Sequence, residues 1–326
     1  MSDRILEVAD LSVTLERAGQ PITPVTGVSL SVDRGEALGI AGESGCGKSL
    51  TLKSIIGLLP PGAIVDGDLR FALDKEEPIP YTSADVQGHG IGLIFQEPMT
   101  ALNPTMKVGD LIAEGPRIHQ GLSKAAGRQR AIELMRQVGI PSPERRAKMW
   151  PHQLSGGLRQ RVMIAMALST EPKLLLCDEP TTALDVSIQD QILGLLQDIR
   201  ERLDTAVVFV SHDLAVLGEL CDRLAIMYAG QVVETGPVDD LFTNPKHPYT
   251  EALMNSVPTF GATTEKLVGI EGHPPDPSNF PAGCRFAPRC KYARDDCHTA
   301  DYELTLVADG RTTACIHPEL TGGGNS

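Results

Sequence analysis

The chain has 326 residues, 41% hydrophobic and 22% charged, the make-up of an ordinary soluble protein with one large domain or two. Its net charge of −13, with no block of like charges, argues against a binder of phosphate backbones and so against a nucleic-acid partner. No apolar run reaches the roughly 18 to 20 residues that cross a bilayer. Met1 to Asp10 carries acids early and has no apolar stretch of signal-peptide length. The chain is therefore expected in the cytosol, with any membrane crossing left to other chains.

Along the chain, Ala37–Ala41, Ile91–Phe95, Leu174–Cys177 and Ala206–Val210 read as short buried strands, each followed by polar or glycine punctuation. Strands of this kind alternating with helices predict an α/β fold with a parallel sheet covered on both faces. Between the second and third strands the texture turns helical, with Val108–His119, Ala125–Val138 and Leu158–Ser169 as helices and Pro141, Pro143 and Pro151 as breaks. This predicts a helical subdomain over about 97–165, inserted in a domain spanning 1–243. Beyond Thr243 proline becomes frequent and periodicity fades, which marks 244–326 as a small irregular C-terminal module. Its glycine-rich end, Gly322–Ser326, reads as a fraying tail.

The first strand runs into Gly42-Glu43-Ser44-Gly45-Cys46-Gly47-Lys48-Ser49-Leu50, the pattern of a phosphate-binding loop, and a helix-like stretch leaves it. The glycines let the backbone curl so that successive N–H groups point inward, and the emerging helix adds its positive end. Lys48 is placed to reach β- and γ-phosphates, and the Ser49 hydroxyl to ligate Mg²⁺. Leu174–Cys177 then delivers Asp178 and Glu179 at a strand end, where open α/β sheets place ligands. Asp178 suits Mg²⁺ through its water shell, and Glu179 suits the orientation of an attacking water. On its own an acidic strand end is more often solvated surface. Paired with the loop it predicts a P-loop NTPase that uses ATP and Mg²⁺.

Further residues narrow the class. Leu154-Ser155-Gly156-Gly157-Leu158-Arg159-Gln160-Arg161 precedes a helix, Gln96 follows a strand, Thr182-Ala183-Leu184-Asp185 follows the acidic pair, and His212 follows Ala206–Val210. Each is weak alone. In this order and spacing they resemble the ABC transporter ATPase family over roughly residues 4–243. The resemblance implies a RecA-like sheet and a head-to-tail ATPase dimer with two nucleotides at its interface. In it Ser155, Gly156, Gly157 and Gln160 would form the signature motif facing the partner's γ-phosphate. Asp185 would belong to the D-loop, His212 would hold the attacking water, and Gln96 would ligate Mg²⁺ and report nucleotide state to the helical insertion. Two positions depart from the family pattern. Leu158 stands where many members have Gln, although the peptide-importer branch often has an apolar residue there. The segment that should stack an aromatic on adenine offers Leu15, with no aromatic before Phe71, which implies weak nucleobase discrimination.

Gln96-Glu-Pro-Met-Thr-Ala-Leu-Asn-Pro104 and Asn244-Pro-Lys-His247-Pro248-Tyr249-Thr-Glu-Ala-Leu253 look like motifs of the dipeptide/oligopeptide/nickel importer branch. So does the tail from Gly283-Cys284 to Cys315-Ile316-His317-Pro318. The resemblance implies an ATP-hydrolysing, peripheral subunit at the cytoplasmic face of the membrane. Its partners would be a second, homologous ATPase in a heterodimer, two transmembrane permeases and an extracytoplasmic substrate-binding protein. Peptides, nickel, an opine or another small solute all remain open as cargo, since the ATPase never touches it. A soluble, non-transport ABC ATPase is the reading from another class. Chains of that kind usually carry coiled coils or two cores, and this chain has one core.

Of seven cysteines, Cys46, Cys177 and Cys221 read as packing residues. Cys284, Cys290, Cys297 and Cys315 crowd at the C-terminal end, spaced C-x5-C-x6-C-x17-C. Soft sulfur ligands suit Fe–S or zinc, and reduced thiols without metal remain a third reading. In the family branch the pattern is associated with a [4Fe–4S] cluster. His298 and His317 are spare donors, not expected to ligate.

Overall fold

The computed structural model describes residues 3–73, 77–182, 184–256 and 269–321, so Ala183 of the D-loop motif, Pro258 and the tail Gly322–Ser326 lie outside the described residues. The strands, in chain order, are β1 (Arg4–Arg17), β2 (Gln20–Asp33), β3 (Ala37–Ala41), β4 (Ile64–Phe71), β5 (Ile79–Pro80), β6 (Ile91–Ile94), β7 (Leu174–Asp178), β8 (Ala206–Ser211), β9 (Arg223–Tyr228), β10 (Gln231–Pro237), β11 (Thr305–Ala308) and β12 (Arg311–Thr313). The chain forms two compact units, each gathered from separated stretches.

The first unit takes Met1–Ile5, Val32–Glu36 and Phe71–Val208. Within it β6 and β7 pair in parallel, Ile91 opposite Leu174 through Ile94 opposite Cys177. All five β7 residues are buried, as expected for a parallel strand covered on both faces. The helices expected between these strands are present as Val108–His119, Lys124–Gln137 and Gly156–Ala167, and they pack on one another. Lys124–Gln137 starts at Ser123, whose hydroxyl accepts the Ala126 N–H at 3.2 Å. It buries Gly127, Ala131, Leu134 and Met135, a stripe at helical spacing. The last helix starts two residues earlier than the apolar periodicity suggests. Ser155 is already extended (φ −67°, ψ 164°), so Gly156 and Gly157 form the first turn.

The second unit takes Leu6–Ser31, Ala37–Arg70 and Phe209–Ser326. Here the expectation of parallel strands is met by β3 and β9, paired Leu38 to Arg223 through Ala41 to Ile226. The unit also holds antiparallel structure that the apolar runs do not announce. β1 and β2 are joined by Ala18 and Gly19, both at positive φ (52° and 79°), the conformation a two-residue hairpin needs. β9 returns antiparallel as β10, and β10 pairs antiparallel with β12, Glu234 opposite Thr313. β11 and β12 form a hairpin in the C-terminal tail, so this stretch, read as irregular, extends the sheet in the order β11–β12–β10–β9–β3. Strands of four and three residues, Thr-Leu-Val-Ala and Arg-Thr-Thr, are too short to show a periodic pattern. Among the described residues no helix is long and apolar enough to cross a membrane.

Candidate functional site

In the second unit β3, buried throughout, enters the loop at Gly42, and the helix Lys48–Ile55 leaves it. Gly42, Gly45 and Gly47 all have positive φ (154°, 80° and 106°). The need for glycine is sharpest at Gly42, where an added Cβ would sit 2.2 Å from the Met227 carbonyl oxygen. Lys48 is 5% exposed, and its Nζ donates to the carbonyls of Gly42 at 2.7 Å and Glu43 at 3.1 Å. The lysine side chain is thus curled back over the loop. Ser49 and Leu50 are half-buried in the first turn of the helix, Ser44 and Gly45 are exposed, and Cys46 is buried. Burial pushes the Cys46 thiol up from its ordinary range, against the pull of the nearby Lys48 charge, so it is a packing thiol. His212, also in this unit, is exposed just beyond β8, ahead of the helix Leu214–Leu220 that Asp213 caps.

In the first unit β7 ends on Asp178, only 4% exposed, and Glu179 follows at φ 45°, left-handed for a non-glycine residue. Such a backbone costs about 1 to 2 kcal/mol and persists only where its surroundings hold it. Here Gln96 Nε2 donates to Glu179 Oε2 at 3.1 Å and Thr182 Oγ1 donates to the same oxygen at 2.8 Å. The glutamine after β6 thus bonds the glutamate after β7, a contact the sequence reading did not anticipate. Thr182 is an orienting residue the sequence reading did not single out, although it opens the D-loop motif. Ser155, Gly156 and Gly157 start the helix Gly156–Ala167, and Gln160, 1% exposed, donates from Nε2 to the Pro180 carbonyl at 2.5 Å. A Cβ on Gly157 would meet Ile188 at 2.8 Å, so this glycine lets two helices approach. Asp185 is the N-cap of Val186–Leu203 and accepts the Ile188 N–H at 3.0 Å. The sequence-read residues thus fall in two sets. The phosphate loop and His212 lie in one unit, and Gln96, the signature motif, Asp178, Glu179 and Asp185 in the other.

The four C-terminal cysteines, all half-buried thiols, line one cavity of the second unit with Phe286 and His317. Burial raises Cys284 and Cys290 and pushes Cys315 up to about 12, and the charges of Cys284, Cys290 and Cys297 add to the effect on Cys315. Four soft donors lining one cavity suit a thiophilic metal or cluster that would hold them as thiolates. His317 sits beside them: its Nε2 is 2.9 Å from Asp296, and donor atoms of Asp296, Cys297 and His317 lie within 4.8 Å of one another.

The motif around Tyr249 now has a physical account. Glu234, fully buried, accepts the N–H groups of Lys246 (2.7 Å) and His247 (2.8 Å) and pairs with Arg311 at 3.0 Å. His247 Nδ1 then accepts the Tyr249 N–H at 3.1 Å, starting the helix Pro248–Met254. The buried Tyr249 hydroxyl accepts the Glu43 N–H at 2.9 Å, so a tail residue touches the phosphate loop.

Comparison with known proteins agrees with this geometry. Residues 25–182 match the family model described as ABC transporter. Residues 233–297 match that of the oligopeptide/dipeptide transporter, C-terminal region. The chain is 46% identical over 98% of both chains to the oligopeptide transport ATP-binding protein AppD of Bacillus subtilis. It is 45% identical to the dipeptide transport ATP-binding protein DppD of Escherichia coli, over 96% of this chain and 97% of that one. Among solved structures, the ATP-binding cassette MJ0796, in a dimeric post-hydrolysis state bound to ADP and Pi, matches with a TM-score of 0.62 at 27% identity. That match covers 72% of this chain and 99% of the other. The chain belongs to the ABC transporter ATP-binding proteins, within the branch that carries the oligopeptide/dipeptide C-terminal region. Its fold is the ATP-binding cassette, and its activity is ATP hydrolysis coupled to transport.

Proposed function

We propose that this chain powers a di- or oligopeptide importer by hydrolysing ATP. The observation that carries the reading is the near-full-length likeness to AppD and DppD, proteins of oligopeptide and dipeptide transport, tail included. By this reading the loop 42–49 holds the β- and γ-phosphates through backbone N–H groups and Lys48, a geometry supported by the three positive-φ glycines. Ser49, Gln96 and Asp178 would hold Mg²⁺, which neutralises phosphate charge when bound. Glu179, steadied by Gln96 and Thr182, polarises the attacking water, and His212 keeps that water in line. Ser155, Gly156 and Gly157 at their helix start, with Gln160 and Asp185, serve the nucleotide of a second ATPase subunit in a head-to-tail heterodimer. Two permeases and an extracytoplasmic substrate-binding protein complete the system, with this chain peripheral at the cytoplasmic face.

Cys284, Cys290, Cys297 and Cys315 hold a [4Fe–4S] cluster in this reading, with zinc as the alternative. Their convergence on one cavity supports it. A bound group would tie together a tail whose own hydrophobic core is small. The domain reading, a cassette over 1–243 followed by this module over 244–326, goes with the same proposal. Uptake by vesicles holding the chain with its partner ATPase, permeases and binding protein tests the cargo. ATP-driven accumulation of a labelled peptide is expected, and accumulation of nickel or an opine in its place would overturn the peptide assignment.

A further inference from the structure

The phosphate loop of this chain carries an acid, Glu43, directly after its first glycine. A carboxylate there would repel the phosphates the loop is built to hold. The second unit deals with that charge through a residue far along the chain. Arg289 Nη1 donates to Glu43 Oε2 at 2.7 Å and its Nη2 donates to Oε1 at 3.0 Å, a two-bond fork on one carboxylate. The two side chains are 5% and 26% exposed, so solvent screens the pair little from the arginine side. Arg289 is itself fixed, with Nε donating to the Glu271 carbonyl at 2.8 Å and Nη1 to the Tyr228 hydroxyl at 3.3 Å. The Glu43 backbone is held as well, by the Tyr249 hydroxyl. Arg289 ends the turn Ala287–Arg289, immediately before Cys290.

We propose that Arg289 is a positioning residue for ATP binding: it neutralises and orients Glu43, so that the cysteine-bearing tail sets the charge and shape of the phosphate loop. This rests on the reading of residues 42–49 as the ATP loop. Arg289 touches no reacting atom and acts through Glu43. Its loss therefore weakens ATP binding by leaving an uncompensated carboxylate beside the phosphates, and it raises KM for ATP more than it lowers kcat.

Equilibrium binding of MgATP to the purified full-length chain tests the proposal, in the parent, Arg289→Gln, Arg289→Lys and the double variant Glu43→Gln/Arg289→Gln, with thermal unfolding followed in each. The expected result is affinity about tenfold weaker in Arg289→Gln, the scale of one unpaired, partly screened charge. A smaller loss is expected in Arg289→Lys, which keeps the charge but not the fork, and recovery of most of the affinity in the double variant. An Arg289 that served only to anchor the tail carbonyls would show no such recovery, because removing the Glu43 charge cannot restore those bonds. A double variant as weak as the single one, or an unchanged affinity in Arg289→Gln, would overturn the proposal. A parent chain that binds no ATP would overturn the loop reading and the proposal together.

Discussion

Lys48 shows how much of the candidate site is set residue by residue. Its ammonium is buried against the carbonyls of Gly42 and Glu43, so the loop's three glycines and its one cation form a single object. Lys48→Ala is expected to weaken ATP binding by about 2 kcal/mol, some thirtyfold, as for a lost hydrogen bond to a charged group. Unchanged affinity in an equilibrium titration would remove the residue from the site. Lys48, Asp178 and Glu179 are legible in the sequence because their spacing from glycines and strand ends is fixed by the chemistry. Thr182 and Arg289 are not. Thr182 reaches Glu179 only because the chain turns back at a left-handed residue. Arg289 meets Glu43 across 246 positions, a separation no local pattern reports.

At the scale of elements, the apolar runs locate β3, β6, β7 and β8 to within a residue or two, since buried parallel strands must be apolar on both faces. The hairpins β1–β2 and β11–β12 stay hidden because half-exposed or very short strands mix polar and apolar residues. Two predictions belong here. Burial pulls His247 down to about 3, so it stays neutral in the fold while an unfolded histidine titrates near 6.5. The sign follows: between those values the unfolded chain binds the extra proton, so stability is full above about pH 6.5 and falls as pH drops toward 3. About 2 kcal/mol should be lost by pH 5, and His247→Asn, which keeps an acceptor for the Tyr249 N–H, should flatten that limb in denaturant titrations. A parent whose stability is level from pH 7 to 5 would contradict the buried neutral imidazole. The tail is checked by composition: protein purified without oxygen should contain about four irons and four acid-labile sulfides per chain. Zinc alone, or no metal, would remove the cluster and leave the ATPase assignment standing.

For the whole molecule, the order of motifs mattered more than any one of them. A phosphate loop alone defines a P-loop NTPase, and Gln96, Ser155–Gly157, Asp185 and His212 in sequence define an ABC ATPase. The family membership agrees with that order. The discontinuous make-up of the two units was not legible, because each is assembled from three separated stretches that carry no composition change at their joints. Under the proposed roles the two variants separate two steps, Lys48→Ala acting on binding and Glu179→Gln on turnover. The most direct measurement is ATP hydrolysis by the assembled transporter carrying Glu179→Gln, with the equivalent change in its partner ATPase. Nucleotide should stay bound and turnover should fall to a small residue of the parent rate. Substantial hydrolysis by that assembly would contradict the role of Glu179, and with it the account of how this chain works.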